Sequence, residues 1–191
     1  MAFIIKSVFI FSIALLAACA LSPQTVTLSP VLTLSPGEAP GRLNTLAITV
    51  NDSRTDNVIG ARGGVYRETS LITSSPDMPR SLQLRISEAF RDLGYNVVSN
   101  NADADLSINI AELKYTASGS NTITAVETTA AIRVKCRNDN YRMNNDYRIT
   151  DKQEVLKAPS VSRNSEIINA TLSSALQRMF DDEKLLDCIN R

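Results

Sequence analysis

An α/β chain of the α+β type follows from three observations, with a mixed, largely antiparallel sheet of about four to five strands and two helices packed on one face. Three long runs between residues 106 and 149 alternate apolar and polar positions with the period of a strand. Two stretches, 80–93 and 165–180, place apolar residues at helical spacing. The chain has 191 residues, 43% hydrophobic, 5% aromatic and without tryptophan, which suits one domain of ordinary size with a tail to spare.

The single domain spans 43–191. Leu46, Ile48 and Val50 mark a short buried strand, closed by Asn51-Asp52-Ser53-Arg54. The run Gly60-Ala61-Arg62-Gly63-Gly64 reads as a flexible turn, since no Gly-Lys-Ser/Thr follows and no helix starts there to make a phosphate cradle. Over 80–93, Leu82, Ile86, Ala89, Phe90 and Leu93 share a helix face; Asp77 is a candidate cap, Pro79 suits the first turn, and Gly94 suits a left-handed end. Tyr95 to Val98 returns as a strand. Leu106, Ile108 and Ile110 line a strand continuing to Tyr115. Val126 to Cys136 alternate with Arg133 and Lys135 on the opposite face, and Tyr141, Met143, Tyr147 and Ile149 alternate back, a meander with one face covered. Asn138-Asp139-Asn140 turns between them, because Asn and Asp tolerate left-handed backbone. Ile168, Leu172, Ala175, Leu176 and Met179 form the covering helix, with Ser162 or Asn164 as its cap, and Leu185, Leu186 and Ile189 add a last turn.

Residues 19–42 differ in kind. Residues 20–42 hold four of the seven prolines and three copies of Leu-Ser-Pro, ending at Pro23, Pro30 and Pro36. Proline fixes φ and biases its predecessor to extended backbone, so the tract reads as a stalk, reaching on the order of 70 Å when stretched. The pieces Thr25-Val26-Thr27-Leu28 and Val31-Leu32-Thr33-Leu34 alternate like strands, so an edge strand, where proline is tolerated, is the second reading.

Residues 1–18 form a signal peptide: Lys6, then an apolar core of about eleven residues, about half of what a spanning helix needs. Leu16-Ala17-Ala18-Cys19 resembles the bacterial lipobox, whose cysteine takes a diacylglyceryl group and becomes the new N-terminus. An uncleaved anchor and a plain secretory signal cut elsewhere are the competing readings. Two or three acyl chains on Cys19, palmitate among them, would hold the chain in one leaflet at roughly 0.8 kcal/mol per buried methylene. Ala20, rather than Asp, after the cysteine resembles the pattern exported to the outer membrane, with the domain facing the periplasm.

Cys136 and Cys188 then remain, an even number for an oxidising compartment. A disulfide between them closes a loop of about fifty residues, contributing about 4 kcal/mol by chain entropy; two buried free thiols are the alternative.

The lipobox, the stalk with Thr25-Val26-Thr27-Leu28-Ser29-Pro30, the strand ending Ile48-Thr49-Val50-Asn51-Asp52-Ser53-Arg54-Thr55-Asp56, the Phe90-Arg91-Asp92-Leu93-Gly94-Tyr95 step and the last long helix together resemble the YajG lipoproteins. The resemblance covers nearly the whole chain. It implies a small outer-membrane lipoprotein without assigned activity, and so architecture and location rather than chemistry. It implies nothing about Cys136 and Cys188.

Chemistry is sparse. With no histidine, histidine-dependent triads, the usual zinc sites and the commonest general base are excluded. Twenty basic and twenty acidic residues balance, so no nucleic-acid grip is expected. No metal, cofactor or catalytic residue is indicated. Asp52, Arg54, Asp56 and Arg62 form a possible ligand loop after a strand, or else a surface turn that caps and pairs with itself. Asp103 and Asp105 blunt a strand end, and Asp181-Asp182-Glu183 reads as a solvated run after the last long helix. The expected function is a lipid-anchored envelope interaction or assembly module with a protein partner, met at a free strand edge. A binding protein for a small or polymeric envelope ligand at the 52–62 loop is the alternative.

Overall fold

The longest alternations in the sequence form the spine of the molecule. The computed structural model describes residues 23–34, 44–62, 70–119, 123–156 and 159–191; the signal peptide and Cys19 lie outside them. Ala104–Gly119 (β6), Ile123–Asn138 (β7) and Arg142–Leu156 (β8) run antiparallel as a meander. The other edge of β6 is shared. Its first half pairs in parallel with Thr45–Asp52 (β2), and Tyr115 and Thr116 pair in parallel with Val58–Ala61 (β3). Asn96–Val98 (β5) lies outside β2, Leu71–Ser74 (β4) runs antiparallel to β3, and Gln24–Val26 (β1) is parallel to β4 at the edge. The described sheet therefore has eight strands, and three helices cover it: Met78–Asp92 (α1), Val161–Phe180 (α2) and Glu183–Asn190 (α3). The expected four to five strands and two helices understate this. Of the extra strands, β3 and β4 have four residues each, too short for a period-two pattern to register, and β1 falls on the tract read first as a stalk and second as an edge strand.

One face of the sheet is buried. Leu106, Ile108 and Ile110 of β6 and Val126, Ala130, Ile132, Val134 and Cys136 of β7 point inward, joining Leu82, Ile86 and Phe90 of α1 and Ile168, Leu172 and Leu176 of α2 in one core. The register shift between Ile110 and Glu112 leaves Ala111 as an extra residue. This bulge moves the inward set from even to odd numbers, so Leu113 and Tyr115 stay in the core. Gly60 allows the close approach of β3 to this strand, because a Cβ there would lie 1.9 Å from the carbonyl oxygen of Tyr115. Gly60 and Ala61 are therefore strand, where the sequence reads as a turn.

The helix boundaries also differ in instructive ways. Asp77 occupies the N-cap of α1 but makes no capping bond; its carboxylate takes the Ser75 hydroxyl instead. Gly94 does adopt the left-handed conformation, at φ 90°. The cap of α2 is Ser160, whose Oγ accepts from the N–H of Arg163 at 3.2 Å; neither Ser162 nor Asn164 serves, and Asn164 is wholly buried inside the helix. The turn after β7 uses no left-handed Asn or Asp. The Asn138 side chain holds it, accepting from the N–H groups of Asn140 (2.9 Å) and Tyr141 (2.6 Å).

The proline-rich tract contributes structure. After β1 it runs extended along α2: the N–H groups of Ser29, Val31 and Thr33 donate to Asn169 Oδ1 (2.7 Å), Ser173 Oγ (2.9 Å) and Gln177 Oε1 (3.0 Å). Two extended residues advance about 6.6 Å and four helical residues about 6.0 Å, so alternate amides meet successive turns. Val26 and Leu28 fill the seam beneath.

Candidate interaction site

The four residues of the predicted ligand loop do not converge. Arg54 folds back on Asp52 as a two-pronged pair, Nε to Oδ1 at 2.9 Å and Nη2 to Oδ2 at 2.8 Å, with Nη2 also donating to Ser74 Oγ at 2.7 Å. The Arg54 side chain is only 7% exposed, and its Nη1 is buried without a hydrogen-bond partner. Asp56 accepts from the N–H of Val58 at 2.8 Å, closing the turn before β3. Arg62 stands at the far end of that strand, about 13 Å further on. Its guanidinium meets the buried Gln24 amide, 2.8 Å from Nη1 once that carbonyl is turned toward it. The Gln24 amide in turn touches Asn164 at 3.0 Å, and the Tyr115 hydroxyl donates to Asn164 Oδ1 at 2.7 Å. Burial pushes the Tyr115 hydroxyl up to about 12, against the opposing pull of Arg62. This network joins β1, β3, β6 and α2 inside the protein.

The acidic run is also structural. Asp181 ends α2, and Asp182 caps α3, accepting from the N–H of Lys184 at 2.9 Å. Asp182 Oδ2 further accepts from Tyr147 Oη (2.5 Å) and Asn145 Nδ2 (2.9 Å). Burial opposes its ionisation, yet these hydrogen bonds together outweigh burial and hold the carboxyl below the usual range. Asp103 is held low as well, by the N–H and hydroxyl of Thr45, clipping the start of β2 to the start of β6. Asp105 pairs with Arg137 across the sheet at 2.9 Å. Cys136 and Cys188 are joined in a disulfide, Cα atoms 6.4 Å apart, which ties α3 to β7. Asn138 Nδ2 reinforces it on the Cys188 carbonyl at 2.7 Å.

Two hollows stand out among the described residues. The larger, about 470 Å³, lies near the far ends of β6, β7 and β8, but its charges include the Glu127–Lys152 pair at 3.0 Å. The other, about 360 Å³, lies between α1 and the outer strands, lined by Ile48, Thr49, Arg80, Leu84, Arg91 and Val98, among others. Here β5 pairs only with Thr45, Leu46 and Ala47, so residues 48–52 of β2 have no strand partner on that side among the described residues. The guanidinium groups of Arg80 and Arg91 have no hydrogen-bond or ion-pair partner there either, and Leu84 is 58% exposed. An unfilled strand edge beside an apolar side chain and two free cations is chemically fit to take an extended, acidic peptide segment. Sequence reading missed this place because the signal is relational: a three-residue strand beside an eight-residue one. Its one local trace is Leu84, an apolar residue off the buried stripe of its helix.

The family model described as "Uncharacterized lipoprotein" (Lipoprotein_16) matches residues 38–190. The uncharacterized lipoprotein YajG of Escherichia coli strain K12 is 28% identical over 182 residues, covering 93% of this chain and 92% of that protein; its counterpart in strain CFT073 of serotype O6:H1 gives the same figures. Among solved structures, protein XCC0632 from Xanthomonas campestris superposes with a TM-score of 0.50 at 15% identity, over 87% of this chain and 95% of that one, a likeness of fold alone. Among the described residues no helix is long and apolar enough to cross a membrane.

Proposed function

This chain belongs to the Lipoprotein_16 family of uncharacterized lipoproteins, and on that premise we propose that it is an interaction module of the bacterial envelope rather than an enzyme. Cys19 carries the lipid, Ala20 directs the chain to the outer membrane, and the domain faces the periplasm. Its partner is an envelope protein that lends an extended, acidic segment to the unfilled edge of β2. The observation that carries this reading is the hollow where β5 stops and β2 continues, flanked by the free guanidinium groups of Arg80 and Arg91. Main-chain hydrogen bonds would give affinity there, and the arginines would select charge and register. The ligand-loop alternative has less support, because Arg54 is already engaged by Asp52 and Ser74, and Arg62 lies at the opposite end of β3.

A photoreactive phenylalanine analogue at Leu84 tests the proposal in the native envelope. One discrete adduct, lost on Arg80→Glu with Arg91→Glu while the far-ultraviolet spectrum is unchanged, is the expected result. Absence of any adduct at Leu84, or an adduct indifferent to both charge reversals, would overturn it.

A further inference from the structure

The end of the sheet opposite the disulfide carries an apolar tip. Ile123 at the start of β7 lies directly across from Leu156 at the end of β8, and Leu156 is 82% exposed, Ile123 46%. Val161, the first residue of α2, is 48% exposed. The Arg163–Gln153 hydrogen bond, at 2.9 Å, sets the start of α2 beside the last turns of β8. Of the six large apolar side chains exposed in the described residues, three gather at this one end.

The amino-terminal strand leaves the domain at the same end. Residues 29–33 run parallel to α2 from Asn169 to Gln177, so the chain before them points back past the helix start, where Gln24 meets Asn164. Four peptide steps separate Pro23 from Cys19, a span of at most about 14 Å. The tip extends about 10 Å beyond the level of Gln153. A lipid on Cys19 therefore cannot sit far from the tip, and the long tether that proline content suggests is largely used up along α2.

We infer that the tip formed by Ile123, Leu156 and Val161 rests on the lipid leaflet that holds the Cys19 acyl chains. This rests on the proposed lipidation of Cys19. The lipid anchor and the tip make two attachment points at one end, so the domain stands upright rather than swinging. Thr49, at the unfilled edge of β2, pairs with Ser107, twelve residues along β6 from Gly119. The upright pose thus holds the candidate peptide site roughly 40 Å from the bilayer.

The absence of tryptophan makes the test direct. Full-length lipidated protein carrying Leu156→Trp, or separately Val161→Trp, is reconstituted into phosphatidylethanolamine/phosphatidylglycerol vesicles with and without brominated acyl chains. Leu84→Trp, at the other end, serves as the reference. The expected result is a blue-shifted emission that loses most of its intensity to brominated lipid for the two tip variants, and no loss for Leu84→Trp. Flotation of the wild type and of Cys19→Ser on the same vesicles reports the anchor separately. If flotation holds for the wild type, fails for Cys19→Ser, and the tip fluorophores are unquenched, the tip contact alone is overturned. If both proteins float alike, or neither does, the lipidation of Cys19 falls and the inference with it.

Discussion

Where β6 begins, links of several kinds converge on a few residues: the Cys136–Cys188 disulfide, the Asn138 bond to the Cys188 carbonyl and the Thr45–Asp103 clip. Tyr95 adds a hydrogen bond to Asn190 at 3.1 Å, and Arg191 stacks over Tyr141. At the other end, β7 and β8 run out past the buried Tyr115 network into exposed apolar side chains. The first end is cross-linked by a disulfide and by hydrogen bonds between segments distant in the chain, beside the edge of β2 that stays open. The second leaves surface unanswered. The contrast teaches that the two ends are held by different means, covalent and polar cross-links at one and apolar packing around one buried network at the other.

The sharpest way to break this comparison is to remove the covalent link. Cys136→Ser with Cys188→Ser is expected to cost about 4 kcal/mol on the loop-entropy estimate, since 52 residues separate the pair. Denaturant unfolding, with and without reductant, measures it. Hydrogen exchange should show lost protection in α3 and the neighbouring part of β7, with the amides around Tyr115 less affected; a uniform loss would mean that the two ends are one cooperative unit.

Gly60→Ala tests the opposite end. The new methyl would meet the Tyr115 backbone, which cannot swing aside as a flexible side chain can, and the expected cost is about 3 kcal/mol. Loss of protection in β3, β4 and β1, with the disulfide end intact, would sharpen the distinction between the two.

Tyr147→Phe has the smallest effect and a pH signature. The hydroxyl helps hold Asp182 below its unfolded value, so its contribution is fully present above about pH 4 and is lost as pH falls through the lower folded value. The variant should be about 1 kcal/mol less stable at neutral pH. The gap to wild type should narrow in acid; a gap independent of pH would assign the effect to packing alone.

The comparison also separates what a sequence can reveal from what it cannot. The core of the long meander was legible, because Leu106, Ile108, Ile110 and the even positions from Val126 to Cys136 keep strict alternation over many residues. Even the bulge at Ala111 leaves a trace, as the apolar set jumps from Ile110 to Leu113. Helix α2 was legible in its apolar stripe but not at its start, since Ser160, Ser162 and Asn164 are all competent caps and only burial of Asn164 against Tyr115 selects among them. The loop residues Asp52, Arg54, Asp56 and Arg62 are neighbours in sequence, yet the strand between them carries Arg62 to another part of the molecule.

The sequence by itself determined the class of fold, the inward face of each long element and the family resemblance, because these follow from local periodicity and short motifs. Tertiary structure decided which strands share the edge of β6, where β2 lies uncovered, that the proline-rich tract pairs with α2, and that the amino-terminal exit and the apolar tip lie together. Each of these depends on residues far apart in the chain arriving at one place, as Ser29 and Asn169 do across 140 positions. No local pattern records that coincidence, because its free energy exists only once the intervening chain has folded.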